Sequence, residues 1–427
     1  MTTPKRNTAP GAPEPGASLD EWLRWQEAVH PKSIELGLDR VSAVAARLGL
    51  LGDTTPTITI AGTNGKGSST VLLSEILRAA GFRVGTYTSP HLLRYNERVA
   101  VDGQVATDEQ LIAAFAEIER ARRKTLLTYF EFGTLAALWL FKQAGVQVRL
   151  LEVGLGGRLD AVNIVDADCA LITNVGLDHQ EYLGTTRDQI GREKAGIMRK
   201  GRPAVSADPE PPAALAQEAA RVGANLFQVG RDYSYQVAAD AWNWHGQGAH
   251  YKKLPPPALA GAAQIRNAAG ALAALHALRD RVPVGETAIR SGLVRLNLPG
   301  RFERRGNVIL DVAHNIEAAK VLAENLRALN PSARYLFVIG MLSDKPVEGF
   351  CAALAPLART MYCGGLPPPR GLSGAEVARR AGASGAPVEA FGRVDEAFEW
   401  ALADKAADGI VVCGSFLTVA EVSPRSQ

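Results

Sequence analysis

The stretch Ile60-Ala61-Gly62-Thr63-Asn64-Gly65-Lys66-Gly67-Ser68-Ser69 decides the fold. TITIA (57–61) leads into it as a short apolar run suited to a buried strand, and 67–80 leaves it with a helical pattern ending at Gly81. Glycines at such a junction let backbone N–H groups turn inward around phosphate oxygens. The helix N-terminus adds the positive end of its dipole, and Lys66 adds a point charge. The segment therefore reads as a phosphate loop. It departs from the common G-x-x-x-x-G-K-[ST] form: Gly62 lies three residues before Gly65, and the Ser68 hydroxyl comes two residues after Lys66.

Outward from this junction, strand and helix patterns alternate. FRVGTY (82–87), VRLLEV (148–153) and CALITNV (169–175) read as buried parallel strands. Thr107-x-x-Gln110 caps a helix through about Arg123, and another, 130–143, stops at Gly145. Ser18-x-x-Glu21 caps the first helix, so residues 1–17 read as a tail. YSYQV and AWNWH within 232–257 suggest a hairpin ending in Pro255-Pro256-Pro257, and an Ala-rich helix follows at 262–279. After Leu298-Pro299-Gly300-Arg301 a new series begins, with strands NVILDV (307–312), RYLFVIG (334–340) and IVVCG (410–414) and a helix over 315–329. The pattern is α/β in two domains, 18–298 and a smaller doubly wound unit, 299–427.

Composition agrees with this and excludes other classes. A chain of 427 residues with 47% hydrophobic and 21% charged residues can bury sizeable cores, and its length suits two domains. The 47 Lys+Arg against 44 Asp+Glu leave a net charge of only +3, with no single-sign field for nucleic acid or an anionic membrane. Cys169, Cys351, Cys363 and Cys413 are too scattered for a disulfide scaffold or paired zinc ligands, and read as reduced core thiols in a cytoplasm. The N-terminal MTTPKRNTAPGAPEPGAS lacks the apolar core of a signal peptide. Even the Ala/Leu-rich 258–278 is too interrupted, by Gln264, Arg266, Asn267 and His276, for a membrane span.

Three polar clusters follow strands, where open α/β sheets place their ligand crevices. Thr88-Ser89-Pro90-His91 follows 82–87, Glu152 ends VRLLE ahead of Gly154-Leu155-Gly156-Gly157-Arg158-Leu159-Asp160, and Asp178-His179 follows CALITNV. The hydroxyl of Ser89, the carboxylate of Glu152 and the imidazole of His179 form a mixed set that suits Mg²⁺ beside a triphosphate better than a zinc cage. Singly, Ser89 also reads as a turn hydroxyl, Glu152 as an ion-pair partner and His179 as a loop histidine.

Together with Leu298-Pro299-Gly300-Arg301-Phe302 and Asp311-Val312-Ala313-His314-Asn315, these motifs resemble the folylpolyglutamate synthase/dihydrofolate synthase family of Mur-type amide ligases. They stand in the family's order from residue 33 to about 417. The resemblance implies an N-terminal P-loop ATPase-like domain, a smaller Rossmann-like C-terminal domain, and ATP bound between them. It implies that Thr63, Asn64, Gly65, Lys66, Gly67 and Ser68 cradle the phosphates, that Asn267, Arg301 and Asp311 complete the ATP site, and that Ser89, Glu152 and His179 hold Mg²⁺. Lys194, in Arg192-Glu193-Lys194-Ala195-Gly196, matches a carbamylated lysine; on residue type alone it reads as a solvated helix charge. Ser33, Ile34, Glu35 and Leu36, with Thr128, Tyr129, Phe130 and Glu131 and with Leu159, Asp160 and Ala161, resemble the pterin-binding parts of bifunctional bacterial members. His314 and Ser415 resemble positions near the incoming glutamate. The implied chemistry joins L-glutamate to dihydropteroate and further glutamates to folates, in a monomer that binds neither nucleic acid nor membrane.

Two other readings are weaker. A cell-wall amino-acid-adding ligase carries an additional domain before the phosphate loop, and only 61 residues precede Gly62 here. A GTPase-type switch would show an N-K-x-D motif for guanine, which the sequence lacks. Restriction to already glutamylated folates stays open as the narrower reading.

Overall fold

The computed structural model describes residues 11–32, 34–246, 248–259, 261–404 and 407–423. Their contacts group into two compact units. The first runs through Ser89 and includes Asn96–Pro256 and Asn267–Val294. The second takes Pro90–Tyr95, Pro257–Arg266 and the chain from Arg295 onward.

The first unit is built on β1 (Thr57–Ala61), β2 (Val84–Tyr87), β3 (Val99–Val101), β4 (Gln104–Val105), β5 (Val148–Glu152), β6 (Cys169–Ile172), β7 (Pro203–Ser206) and β8 (Asn225–Gln228). They form one sheet in the order β4-β3-β2-β5-β1-β6-β7-β8, parallel from β2 to β8 with β3 and β4 antiparallel at one edge. β1, β5 and β6 are buried at every residue, as a sheet covered on both faces requires, with Thr57, Thr59, Arg149 and Glu152 the polar residues they carry inside. The helix Asp108–Arg122 starts on the Thr107–Gln110 capping box, and Tyr129–Ala144 ends on left-handed Gly145. The expected hairpin is a three-stranded antiparallel sheet, because β9 (Tyr233–Val237) and β10 (Trp242–Gly246) are joined by β11 (Ala249–Leu254). Trp242 and Trp244 fill its buried side.

The second unit has β12 (Glu303–Arg305), β13 (Val308–Leu310), β14 (Tyr335–Ile339), β15 (Ala358–Gly364), β16 (Val388–Phe391) and β17 (Gly409–Cys413). They follow the order β12-β13-β17-β14-β15-β16, parallel except for β12. Alternate residues of β13, β14 and β17 divide between two cores, Ile309, Phe337 and Val411 on one face and Leu310, Val338 and Val412 on the other. The expected strand 307–312 is shorter because the Asp311 carboxylate accepts from the Phe302 and Ala313 amides and turns the chain. Residues 11–17 carry no helix or strand.

Candidate active site

β1 is flanked by β5 and β6, with Ile60 opposite Glu152 and Ala61 opposite Ile172. Its C-terminal end thus opens into the middle of the sheet. Gly62 has φ +155° and packs so tightly that a Cβ there would fall on the Thr173 hydroxyl. Gly65 (φ +83°) caps the helix Lys66–Ala79, and a Cβ on it would lie 2.6 Å from Asn267 Oδ1. Only glycine satisfies both positions. Asn267, buried on the helix Ala262–Ala277, thus packs against the loop at Gly65.

The loop after β6 braces the phosphate loop. The amides of Thr63 and Asn64 donate to Asn174 O (3.0 Å) and Asn174 Oδ1 (2.8 Å), Thr173 Oγ1 donates to Asn64 O (2.6 Å), and Thr63 Oγ1 accepts from the Gly176 amide (2.8 Å). Of the expected cradle, Thr63 and Asn64 thus spend their amides on anchoring. Gly65, Gly67 and Ser68 lie at the head of the helix, where the helix offers its first amides no acceptor. Lys66 Nζ folds back onto Gly62 O (2.9 Å) and Thr63 O (3.1 Å).

Gly62 O also accepts from Lys194 Nζ at 3.0 Å. Lys194 is 4% exposed, so residue type alone misleads here and the solvated-charge reading is corrected. Burial first, then the charge of Lys66, pushes its ammonium down to about 7, against the pull of Asp178 and Asp160.

On the β5 side, buried Glu152 turns Oε2 toward the Ser89 amide, 3.4 Å away. On the β6 side, His179 sits at φ +50° as N-cap of the short helix Gln180–Leu183, its amide held by Asp178 Oδ1. Asp208 accepts from the Val175 amide and from Arg187, whose Nε donates to Val175 O, so this loop too is pinned. Ser89, Glu152, the phosphate loop and His179 therefore come from β2, β5, β1 and β6, four neighbours in the sheet.

Still within the first unit, the segments 34–37, 128–131 and 159–161 are also tied together. The Gly37 amide donates to Leu159 O (3.2 Å). Thr128 and Glu131 form the capping box of the helix Tyr129–Ala144. The Phe130 ring packs at 5.8 Å from Tyr87 and against Gly154, and Arg98 lies over the Tyr129 ring. Ile34 and Leu159 are exposed, Leu36 is half-buried, and Ala161 is buried. Asp160 is buried and caps the turn Ala161–Ile164; burial pushes its carboxyl up to about 6 against the Leu155, Val162 and Gly154 amides. Ser33 lies outside the described residues.

In the second unit, Arg301 stacks over Phe416 (5.3 Å), and His314 lies 6.2 Å from the same ring with Nδ1 on Val312 O. Burial raises the Asp311 carboxyl above its usual range, opposed by Arg301. Ser415 Oγ caps the helix Phe416–Val422 and meets Thr418 Oγ1 at 2.8 Å. Arg301, Asp311, His314 and Ser415 thus gather around the ends of β13 and β17.

Residues 60–275 match the family model of the Mur ligase middle domain and 300–416 that of the Mur ligase glutamate ligase domain. The chain is 47% identical over 414 residues to the dihydrofolate synthase/folylpolyglutamate synthase of Escherichia coli strain K12, covering 96% of each. The chain belongs to the dihydrofolate synthase/folylpolyglutamate synthase family of Mur ligases. A solved structure of Escherichia coli FolC in complex with DHPP and ADP has a TM-score of 0.92 at 46% identity, covering 97% of this chain and 98% of that one. A crystal structure of a bifunctional folylpolyglutamate synthase/dihydrofolate synthase with Mn, AMPPNP and L-glutamate bound has a TM-score of 0.89 at 44% identity, covering 97% and 99%.

For this folate ligase family a divalent cation is implied, and the donor set fits one. Mg²⁺ keeps several waters and takes one or two carboxylates plus substrate phosphates. Glu152 supplies one buried carboxylate with Ser89 beside it. Among the described residues no group of three His, Cys, Asp or Glu side chains would cage a metal alone. The ligase residues that sequence reading missed are Thr173, Asn174, Gly176 and Phe416. Thr173 and Asn174 close the run CALITNV, whose apolar character reads as strand throughout, although a Thr-Asn pair ending such a run is itself a turn signal.

Proposed function

We propose that the phosphate loop at the end of β1 seats the triphosphate of ATP and that an organic acid is activated beside it. The enzyme is an ATP-dependent amide ligase that joins L-glutamate to dihydropteroate, forming dihydrofolate, and adds further glutamates to folates, releasing ADP and phosphate. A carboxylate oxygen attacks the γ-phosphorus and the bond to the ADP oxygen breaks, giving an acyl phosphate. The glutamate amine then attacks the acyl carbon, phosphate departs, and the ammonium proton is lost. Two anions must meet in the first step, so cationic groups and backbone donors have to offset their repulsion.

Lys66 and the first amides of its helix do so at the phosphates, with Asn267 beside Gly65. Ser89, Glu152 and His179 would hold Mg²⁺, which when bound offsets phosphate charge. Lys194, pushed down to about 7, holds a substantial neutral fraction near neutral pH. A neutral amine adds CO₂ to give a carbamate with loss of one proton, so Lys194 is suited to that modification. Ile34, Glu35, Leu36, Thr128, Tyr129, Phe130, Glu131, Leu159, Asp160 and Ala161 form the dihydropteroate side. From residues 299–427, taken as the glutamate-ligase domain after an ATP-binding domain of 18–298, Arg301 and Asp311 serve the nucleotide and His314 and Ser415 the glutamate. The four cysteines are buried free thiols, which favours a reducing cytoplasm.

One observation carries this reading: a glycine-built helix head between Glu152 with Ser89 on one side and the His179 loop on the other. ATP-dependent phosphate release with dihydropteroate plus glutamate, and with tetrahydrofolate plus glutamate, tests it. Release with tetrahydrofolate alone would reduce the enzyme to a folylpolyglutamate synthase. Lys66→Ala is expected to abolish both releases with an unchanged melting temperature, and near-normal turnover would remove Lys66 from the mechanism.

A further inference from the structure

Arg40, in the first turn of the helix Asp39–Arg47, stands between two of the acid-side segments. Its Nη2 donates to Glu35 O at 2.8 Å, and Nη1 lies 3.5 Å from Glu35 Oε1. The same Nη2 lies 3.3 Å from Glu131 Oε1, in the cap of the helix that carries Phe130. The other Glu35 oxygen meets His30 Nε2 at 3.1 Å, with Lys32 at 3.7 Å from Oε1. Three residues before Arg40, Gly37 reaches Leu159 O, the third segment. One guanidinium thus links the segment at 34–37 to the head of the Phe130 helix.

The clamp is not saturated. Arg40 Nε and Glu131 Oε1 are both buried, and neither has a hydrogen-bond partner among the described residues. Glu131 Oε1 is close enough to Nη2 for an ion pair without hydrogen-bond geometry. A buried donor and acceptor left unmatched on two facing partners are unfavourable until a small relative shift pairs them. Arginine's planar fork suits that task, because it engages two acceptors at once and stays charged.

We propose that Arg40 is a positioning residue for the acid substrate, acting through Glu35 and Glu131 to set the spacing between segment 34–37 and Phe130. This rests on the assignment of those segments to dihydropteroate. Arg40 touches neither the phosphates nor the reacting carboxylate, so its loss changes acid affinity rather than the chemical step. Lysine keeps the charge but reaches only one acceptor, so it restores only part of the effect.

The test is steady-state kinetics of the full-length enzyme with Arg40→Met, Arg40→Lys and Phe130→Ala. Arg40→Met is expected to raise KM for dihydropteroate about tenfold, the loss of one charge-assisted hydrogen bond, with kcat and KM for ATP unchanged. Arg40→Lys should fall between Met and wild type. Should Arg40→Met prove unstable, Glu35→Gln, which keeps the backbone acceptor, is expected to raise the same KM by a smaller factor. If Phe130→Ala raises KM while Arg40→Met and Glu35→Gln do not, the segment assignment stands and the role of Arg40 is overturned. An Arg40→Met enzyme whose melting temperature, kcat and every KM shift together would overturn it as well, as a purely structural arginine. If neither Phe130→Ala nor Arg40→Met changes KM, the segment assignment itself fails.

Discussion

The phosphate loop and the segments proposed to hold the acid belong to one unit and are held in opposite ways. Around the loop, Thr63, Asn64, Thr173, Asn174 and Gly176 close on one another through hydrogen bonds of 2.6–3.1 Å, and two glycines admit no side chain. Around segment 34–37, Arg40 reaches Glu35 O at 2.8 Å and His30 meets the Glu35 carboxylate at 3.1 Å, but the link on to Glu131 is an ion pair of 3.3 Å with a buried donor and acceptor still unmatched, and Ile34 and Leu159 lie exposed. The difference follows the chemistry. Every turnover uses the same nucleotide, so its seat gains from being preset, whereas the acid varies, so its seat gains from adjustment.

The strongest challenge to this contrast is Gly62→Ala. The new Cβ takes the place of the Thr173 hydroxyl and forces out its bond to Asn64 O, at an expected cost of roughly 2–4 kcal/mol and with loss of detectable ADP binding by calorimetry. Gly81→Ala, at φ +90° with open space around it, should cost only about 1 kcal/mol and keep ADP binding. Equal effects would mean the loop is not preset by that contact.

Lys194 gives a pH-dependent test of the same seat. Its ammonium is pushed down to about 7 from the usual 10.5, so between these values the unfolded chain binds more protons and stability rises with pH. The penalty is complete below about 7 and vanishes above about 10. Lys194→Met lacks this slope. In CO₂-free buffer, urea unfolding should show the variant's advantage over wild type shrinking by about 2 kcal/mol from pH 7 to pH 9. A constant gap would place Lys194 in water.

The smallest expected effect is that of Asn174→Ala, which removes the acceptor for the Asn64 amide. It should raise KM for ATP about fivefold, roughly 1 kcal/mol, and leave KM for dihydropteroate alone. Asn174→Asp keeps an acceptor and should lie near wild type. Equal movement of both KM values would erase the distinction between the two regions.

Much of this contrast was legible in the sequence because its causes are local. Glycines at positive φ between an apolar run and a helix announce the loop, and the capping boxes at Ser18 and Thr107 are short-range chemistry; the same signature at Thr128-x-x-Glu131 caps the next helix, which starts at Tyr129 rather than at the expected 130. β3 and β4 on one side of the sheet and β7 and β8 on the other gave no comparable signal, because none of them lies within an extended apolar run like those around β2 and β6. β11 reads AHYKKL, with both lysines exposed, and only pairing with β10 makes it a strand. The bracing by Thr173 and Asn174 joins residues more than 100 positions apart, which no periodicity records. Pro90–Tyr95 and Pro257–Arg266 join the second unit through contacts distant in sequence, so a linear pattern cannot assign them. Lys194 needed the family resemblance, because only the folded chain shows its amine on Gly62 O.

The central claim is that one phosphate loop serves both acids. Phosphate release measured with dihydropteroate and tetrahydrofolate together, each saturating with ATP and glutamate, tests it directly. A shared nucleotide seat predicts a combined rate between the two single-acid rates. A combined rate equal to their sum would contradict it.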